Sequence, residues 1–237
     1  MSNHTLLQPD SRVTHVIFDV DGLLLDTERI YTECFQEICA EYGKEFTWDI
    51  KVKQMGKKEQ ESAQVLIDTL QLPLLLDELI DKLRVKLDEK LPLTQLLPGA
   101  ERLIHHLHKH HIPIALASGS DGWCYRRKIA SHQDLFSLFH HCVLSSDDPD
   151  VKLGKPSPDC FLVCARRFDD IPKLDEVLVF EDAPNGVEAG LAAGMRVVWV
   201  PDTRADRSFI QGRVDLILDS LEHFKPELFG LPAFDSS

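Results

Sequence analysis

The 237-residue sequence has no apolar run approaching the ~20 residues that span a bilayer, no CxxC spacing among its six cysteines and no surplus of positive charge. The first absence excludes a membrane-spanning helix. Without paired spacing, Cys34, Cys39, Cys124, Cys142, Cys160 and Cys164 read as free thiols packed as small hydrophobes, which suits a reducing cytoplasm. The opening stretch MSNHTLLQPD also lacks the apolar core of a secretion signal. Acidic residues outnumber Lys and Arg by 39 to 26, for a formal charge of −13. Such a surface repels nucleic-acid backbones and anionic membranes, so the expected partner is a small ligand and the chain is expected to act as a monomer. If that ligand is an anion, its site must reverse the field locally with a metal ion, a lysine or backbone N–H groups.

What is present is ordinary for a folded protein: 43% apolar and 27% charged residues. Val13–Asp19, Ile112–Ser118, Glu176–Glu181 and Met195–Val200 are short, β-branched-rich runs without alternation. They read as strands buried on both faces of a parallel sheet. His141–Ser145 and Val214–Leu218 are shorter candidates. Helical stretches at Gly99–His110, Ser157–Phe168 and Asn185–Ala193 alternate with them, which predicts a doubly wound, Rossmann-like α/β core. Residues 28–97 break that rhythm. They are amphipathic and strand-poor, with Val65, Leu66, Thr69 and Leu70 at helical spacing. The expected organisation is therefore a core of residues 1–27 and 98–237 with a small helical domain, 28–97, inserted after the first strand. The turn-rich tail PELFGLPAF is expected to pack on the core.

Ligands of open α/β sheets bind at the carboxyl ends of the strands, and those ends are polar here. Asp19 and Asp21 close the first strand, with Gly22 freeing the backbone to turn. An EF-hand reading of DVDGLLLDTERI fails for want of a third oxygen ligand at the fifth position and the closing Glu. Ser118 and Gly119 end the second strand, Lys155 lies in a loop after the third, and Glu181 and Asp182 follow. Ser118 has a competing reading as a helix N-cap. Ser157 is expected to cap a helix whose first residue is Pro158. In the run from His105 to His111, Leu103, Ile104 and Leu107 mark the buried face of a helix, and the histidines suit its C-terminal dipole better than a metal.

Taken in order, DVDGLLLDT, ALASGS, GKPSPD and VFEDAPNGVEAGLAAGM resemble the four motifs of haloacid-dehalogenase-like phosphatases, and the likeness spans essentially the whole chain. The resemblance implies a magnesium-dependent phosphomonoesterase. In it Asp19 is the nucleophile, Asp21 the acid and base, and Ser118, Gly119 and Lys155 hold the transferring oxygens. The metal set implied is Asp19, Asp182, the backbone carbonyl of Asp21, and Glu181 directly or through water. It also implies a cap loop, Met55-Gly56-Lys57-Lys58, in which Gly56, Lys57 and Lys58 meet the substrate's anion. His111 stands where relatives carry a helix-stop glycine. A small phosphorylated metabolite is the implied substrate, with pseudouridine 5′-monophosphate favoured.

Elementary electrostatics agrees. A carboxylate is ionised at neutral pH and needs no base to become a nucleophile. A phosphate dianion beside Asp19, Glu181 and Asp182 gathers about five negative charges, against about three positive ones from Mg²⁺ and Lys155, so neither cation is dispensable. Acting as an acid requires the Asp21 pKa to be raised, which neighbouring carboxylates would favour. Three rivals remain: a β-phosphoglucomutase-like activity, a sugar-phosphate phosphatase and a non-catalytic ligand-binding protein. The mutase pattern has an Arg where Glu59 stands and a histidine where Tyr31 stands. A retired enzyme would have lost Asp19 or Asp21, and both are present.

Overall fold

The sheet forms from the expected runs, each trimmed by a residue or two at one or both ends. In the computed structural model, which describes residues 12–54, 59–208, 210 and 212–235, the strands are β1 (His15–Phe18), β2 (Ile114–Ser118), β3 (His141–Leu144), β4 (Val177–Glu181), β5 (Arg196–Trp199) and β6 (Leu216–Ile217). All pair in parallel in the order β3-β2-β1-β4-β5-β6. This is the doubly wound order, and the chain reverses its winding direction beside β1, where such sheets open a crevice.

Side chains alternate across β1 and so supply two cores. Val16 and Phe18 face Leu103, Ile104 and Leu107 of helix α5 (Ala100–Lys109) together with Phe224 and Phe229 of the tail. Ile17 faces the opposite layer, where Phe161, Val163 and Cys164 of α8 (Asp159–Arg166) and Val187 and Ala189 of α9 (Pro184–Ala192) cover Val179 and Val197. Each such side chain, fully withdrawn from water, contributes about 1.5–3 kcal/mol before entropy is set against it. The tail packs as expected: Phe229 is 1% exposed, its carbonyl accepts from Val13 N at 3.0 Å, and Phe224 stacks edge-on against Phe180.

Between β1 and β2 lie α1 (Thr27–Glu41), α2 (Trp48–Gln54), α3 (Glu59–Leu70) and α4 (Leu76–Lys90). They share a third apolar cluster built on Ile30, Cys34, Ile38, Leu66, Leu79, Leu83 and Leu87. Cys124 and Trp123 join that cluster from α6 (Gly122–Lys128), so one short helix after β2 bridges the helical insertion and the sheet. A helix after β2 is implied by the N-cap reading of Ser118, though its cap is Asp121; α7 (Gln133–Phe136) follows it. All six cysteines are free, five of them buried.

One local expectation changes and another holds. Helix α8 runs Asp159–Arg166 and Pro158 precedes it, so Ser157 is not its cap. Instead Ser157 Oγ donates to Asp159 Oδ1 at 2.9 Å, and the other Asp159 oxygen accepts from Lys152 N and Leu153 N. After α5, His111 takes a left-handed conformation at φ 55°, the strained turn that its replacement of a glycine implies. Helix α9 spans Pro184–Ala192.

Candidate active site

Three adjacent strand ends converge because β1 is flanked by β2 and β4. Asp19 follows β1, its N–H still bonded to Phe180 O at 3.0 Å, so its backbone is an extension of the sheet. Its carboxylate is almost wholly buried, at 6% exposure. From the loop after β3, Lys155 Nζ reaches Asp19 Oδ1 at 2.5 Å, Glu181 Oε1 at 2.6 Å and Ala117 O at 2.9 Å. The other Glu181 oxygen accepts from Asp182 N and Ala183 N. Asp182 is held by its own carbonyl, which accepts from Trp199 Nε1 at 2.7 Å.

Two glycines make room for this crowding. Gly22 sits at φ 77°, and a Cβ there would run into the Asp182 carboxylate. At Gly186, near the start of α9, a Cβ would overlap the Glu181 carboxylate. Oxygens of Asp19, Glu181 and Asp182 all lie within 4.8 Å of one another. Burial, opposed by Lys155 and reinforced by Glu181 and Asp21, pushes the Asp19 carboxyl up to about 7. Asp182 is driven well above its usual range by burial and then by Glu181, Asp19 and Glu28. One lysine does not neutralise three converging carboxylates. An oxygen-only set of this kind suits a hard divalent ion such as Mg²⁺, whose charge would remove the strain.

Asp21 departs from expectation. Burial does push its carboxyl up, but Lys128, Thr27 and Ser120 outweigh burial and hold it below the ordinary range. Lys128 Nζ lies 2.7 Å from Asp21 Oδ1, while Ser120 Oγ and Ser118 Oγ approach Oδ2 at 3.0 and 3.3 Å. The neighbour that decides its charge is thus an ammonium group, not another carboxylate. Ser118 is fully buried and caps no helix; the N-cap of α6 is Asp121, which accepts from Cys124 N at 2.7 Å. Gly119 is exposed and its carbonyl accepts from Ser146 Oγ. Gly56, Lys57 and Lys58 lie outside the described residues.

The geometry thus brings together Asp19, Asp21, Ser118, Lys155, Glu181 and Asp182, and it adds Lys128 and Ser120, which motif reading missed. A faint signal for Lys128 existed in its spacing of four from Cys124, one turn apart on the same helix face. In the histidine run, His106 Nε2 is bonded to Pro232 O at 2.8 Å, and the cluster of three carboxylates is the one group of potential metal ligands found among the described residues.

A doubly wound sheet with these carboxylates at its central strand end defines a class, and comparison with known proteins agrees. The sequence model of the haloacid dehalogenase-like hydrolases matches residues 13–194. The chain belongs to that family. It is 49% identical over 228 residues to (DL)-glycerol-3-phosphatase 2 of Arabidopsis thaliana, covering 95% of this chain and 94% of that protein. Over 223 residues it is 46% identical to the Drosophila melanogaster protein named Probable pseudouridine-5′-phosphatase, covering 94% and 96%. A family IA hydrolase structure from Entamoeba histolytica, 19% identical, superposes with a TM-score of 0.75 over 92% of this chain and 98% of that one, a likeness of fold. Within its family the protein is an enzyme of the phosphatase kind. No helix among the described residues is long and apolar enough to cross a membrane.

Proposed function

We propose that the protein hydrolyses a small phosphomonoester by way of an aspartyl-phosphate on Asp19, with helices of residues 28–97 serving as a cap. The observation that carries this reading is the contact between Lys155 Nζ and Asp19 Oδ1 at 2.5 Å, set beside the carboxylates of Glu181 and Asp182, a cluster that suits a divalent cation. Asp19, Asp182 and the Asp21 carbonyl would hold Mg²⁺, with Glu181 tied to Lys155 beside them. Bound there, the ion supplies charge neutralisation for the dianion and the carboxylates.

The chain's own groups do the rest. Lys155 orients the Asp19 carboxylate, whose oxygen attacks phosphorus, and Ser118 and Gly119 border the oxygens in transfer. Asp21 protonates the departing ester oxygen and then takes a proton from the water that cleaves the aspartyl-phosphate. Because Lys128 favours the anionic carboxylate, the acid half of that cycle relies on the arriving dianion to raise the Asp21 pKa by like-charge repulsion. Tyr31 argues against a mutase. Its hydroxyl is directed to Cys124 Sγ at 3.8 Å, and burial pushes its phenol pKa up, so it is no proton carrier at the histidine position.

Pseudouridine 5′-monophosphate is the favoured substrate, with glycerol phosphate next because of the Arabidopsis relatives. The test is phosphate release from these two esters and hexose phosphates, with Mg²⁺ and with a chelator. Release from at least one, abolished by chelation, is expected; release from none overturns the reading. Cleavage of a hexose phosphate with pseudouridine 5′-monophosphate left intact overturns the substrate alone.

The cluster also sets a pH dependence. Asp19 rises from 3.8 to about 7 on folding without metal, so it contributes stability that is present below 3.8 and lost as pH climbs through about 7. Mg²⁺ binds the ionised form. It should therefore raise the thermal midpoint more at pH 8 than at pH 5, measured by melts of the chelator-treated protein with and without the ion. An equal shift at both pH values would place the ion elsewhere.

A further inference from the structure

A lysine with a side chain 2% exposed is unusual, and Lys128 at the end of α6 is one. A buried ammonium persists only with partners that replace its water. Here they are Asp21 Oδ1 at 2.7 Å and Ser120 Oγ at 2.6 Å, with the Tyr31 ring 5.4 Å away. Ser120 accepts from Lys128 and donates to Asp21 Oδ2 at 3.0 Å, so the same ammonium reaches both oxygens of one carboxylate, once directly and once through a hydroxyl. The direct contact lacks hydrogen-bond geometry, and Oδ1 is left a buried acceptor without a hydrogen-bond donor. That oxygen keeps a lone pair for an incoming proton while the charge beside it fixes its place.

We propose that Lys128 is a positioning residue for Asp21, aiming the carboxylate that exchanges protons with the ester oxygen and then with water. The inference rests on the phosphatase reading and deepens it. In the first transfer the bond from phosphorus to the ester oxygen breaks as one from Asp19 forms, and the Asp21 proton goes to the ester oxygen. In the second, a water oxygen displaces Asp19 from phosphorus and the water's proton returns to Asp21. A misaimed Asp21 hurts the first transfer only where the leaving group needs that proton. p-Nitrophenolate leaves without it; an alkoxide does not.

The experiment compares kcat/KM for p-nitrophenyl phosphate with kcat/KM for an alkyl phosphate the original protein cleaves, in Lys128→Met and Ser120→Ala. Lys128→Met should lose about 100-fold or more on the alkyl ester, in the range of general acid catalysis, and roughly five-fold or less on the aryl ester. Ser120→Ala should shift the ratio the same way by about 10-fold, losing one of two links. Equal losses on both esters, or none, overturn the proposal and make the lysine a purely structural counter-ion. If melts show that Lys128→Met does not fold, Ser120→Ala decides: an unchanged ratio overturns it. An original protein that cleaves no phosphate ester offered to it overturns the phosphatase reading itself, a result distinct from a variant that fails selectively.

Discussion

Asp19→Asn is expected to release phosphate at least about 10⁴-fold more slowly than the original protein, a loss of roughly 5.5 kcal/mol of transition-state stabilisation. The amide matches the carboxylate in shape but carries no charge and is a far weaker nucleophile. What makes the substitution informative is its effect on folding. The Asp19 carboxylate is buried against Glu181 and Asp182, and its raised pKa, first from burial, says that the folded protein resists its charge. Asparagine removes that resistance, and Lys155 keeps Glu181 as partner. Activity should vanish while the midpoint of the metal-free protein at pH 8 stays the same or rises. Phosphate release at the original rate would remove Asp19 from the mechanism.

Lys155→Met should do the reverse to stability. Its ammonium is 8% exposed and bridges Asp19 and Glu181. Removing one partner from a buried ion pair leaves the other uncompensated, at about 3–5 kcal/mol, an upper range here because Asp19 already sits near 7 and can take up a proton. Catalysis should fall by about 10²–10³-fold, the usual loss for one preorganised group facing developing charge. The two variants thus separate a nucleophile from its clamp: one abolishes phosphate release and spares the fold, the other weakens both. Thermal melts and phosphate release on purified variants, without and with Mg²⁺, check both. If Lys155→Met melts at the original temperature and keeps its rate, the clamp assignment fails.

Much of this site is written in local patterns. Val13–Asp19 and Glu176–Glu181 betray themselves as buried parallel strands because each holds an unbroken apolar stretch, Val16–Phe18 or Val177–Phe180, that ends on a carboxylate, and the structure trims them only to His15–Phe18 and Val177–Glu181. The convergence of Asp19, Ser118 and Glu181 follows from the order of β2, β1 and β4. Lys128 was hidden for a physical reason. Its burial depends on α6 docking against α1, a contact between residues 31 and 124 that no periodicity encodes. With Lys128 unseen, the charge balance at Asp21 came out with the wrong sign. Ser157 misled in another way: the helix begins one residue later than the capping pattern implies, at Asp159, which puts Pro158 and not Ser157 at the cap position.

Asp19 directly follows β1, and this bears on motion. That strand is paired on both sides from Val16 to Phe18, so those amides should exchange with solvent only when the entire molecule unfolds. The Asp19 carboxylate is anchored to the part of the protein that opens last. On the proposed reading, the helices of residues 28–97 can move to admit one molecule and release another while that carboxylate stays where the sheet put it, so selection can be altered there without moving the chemistry.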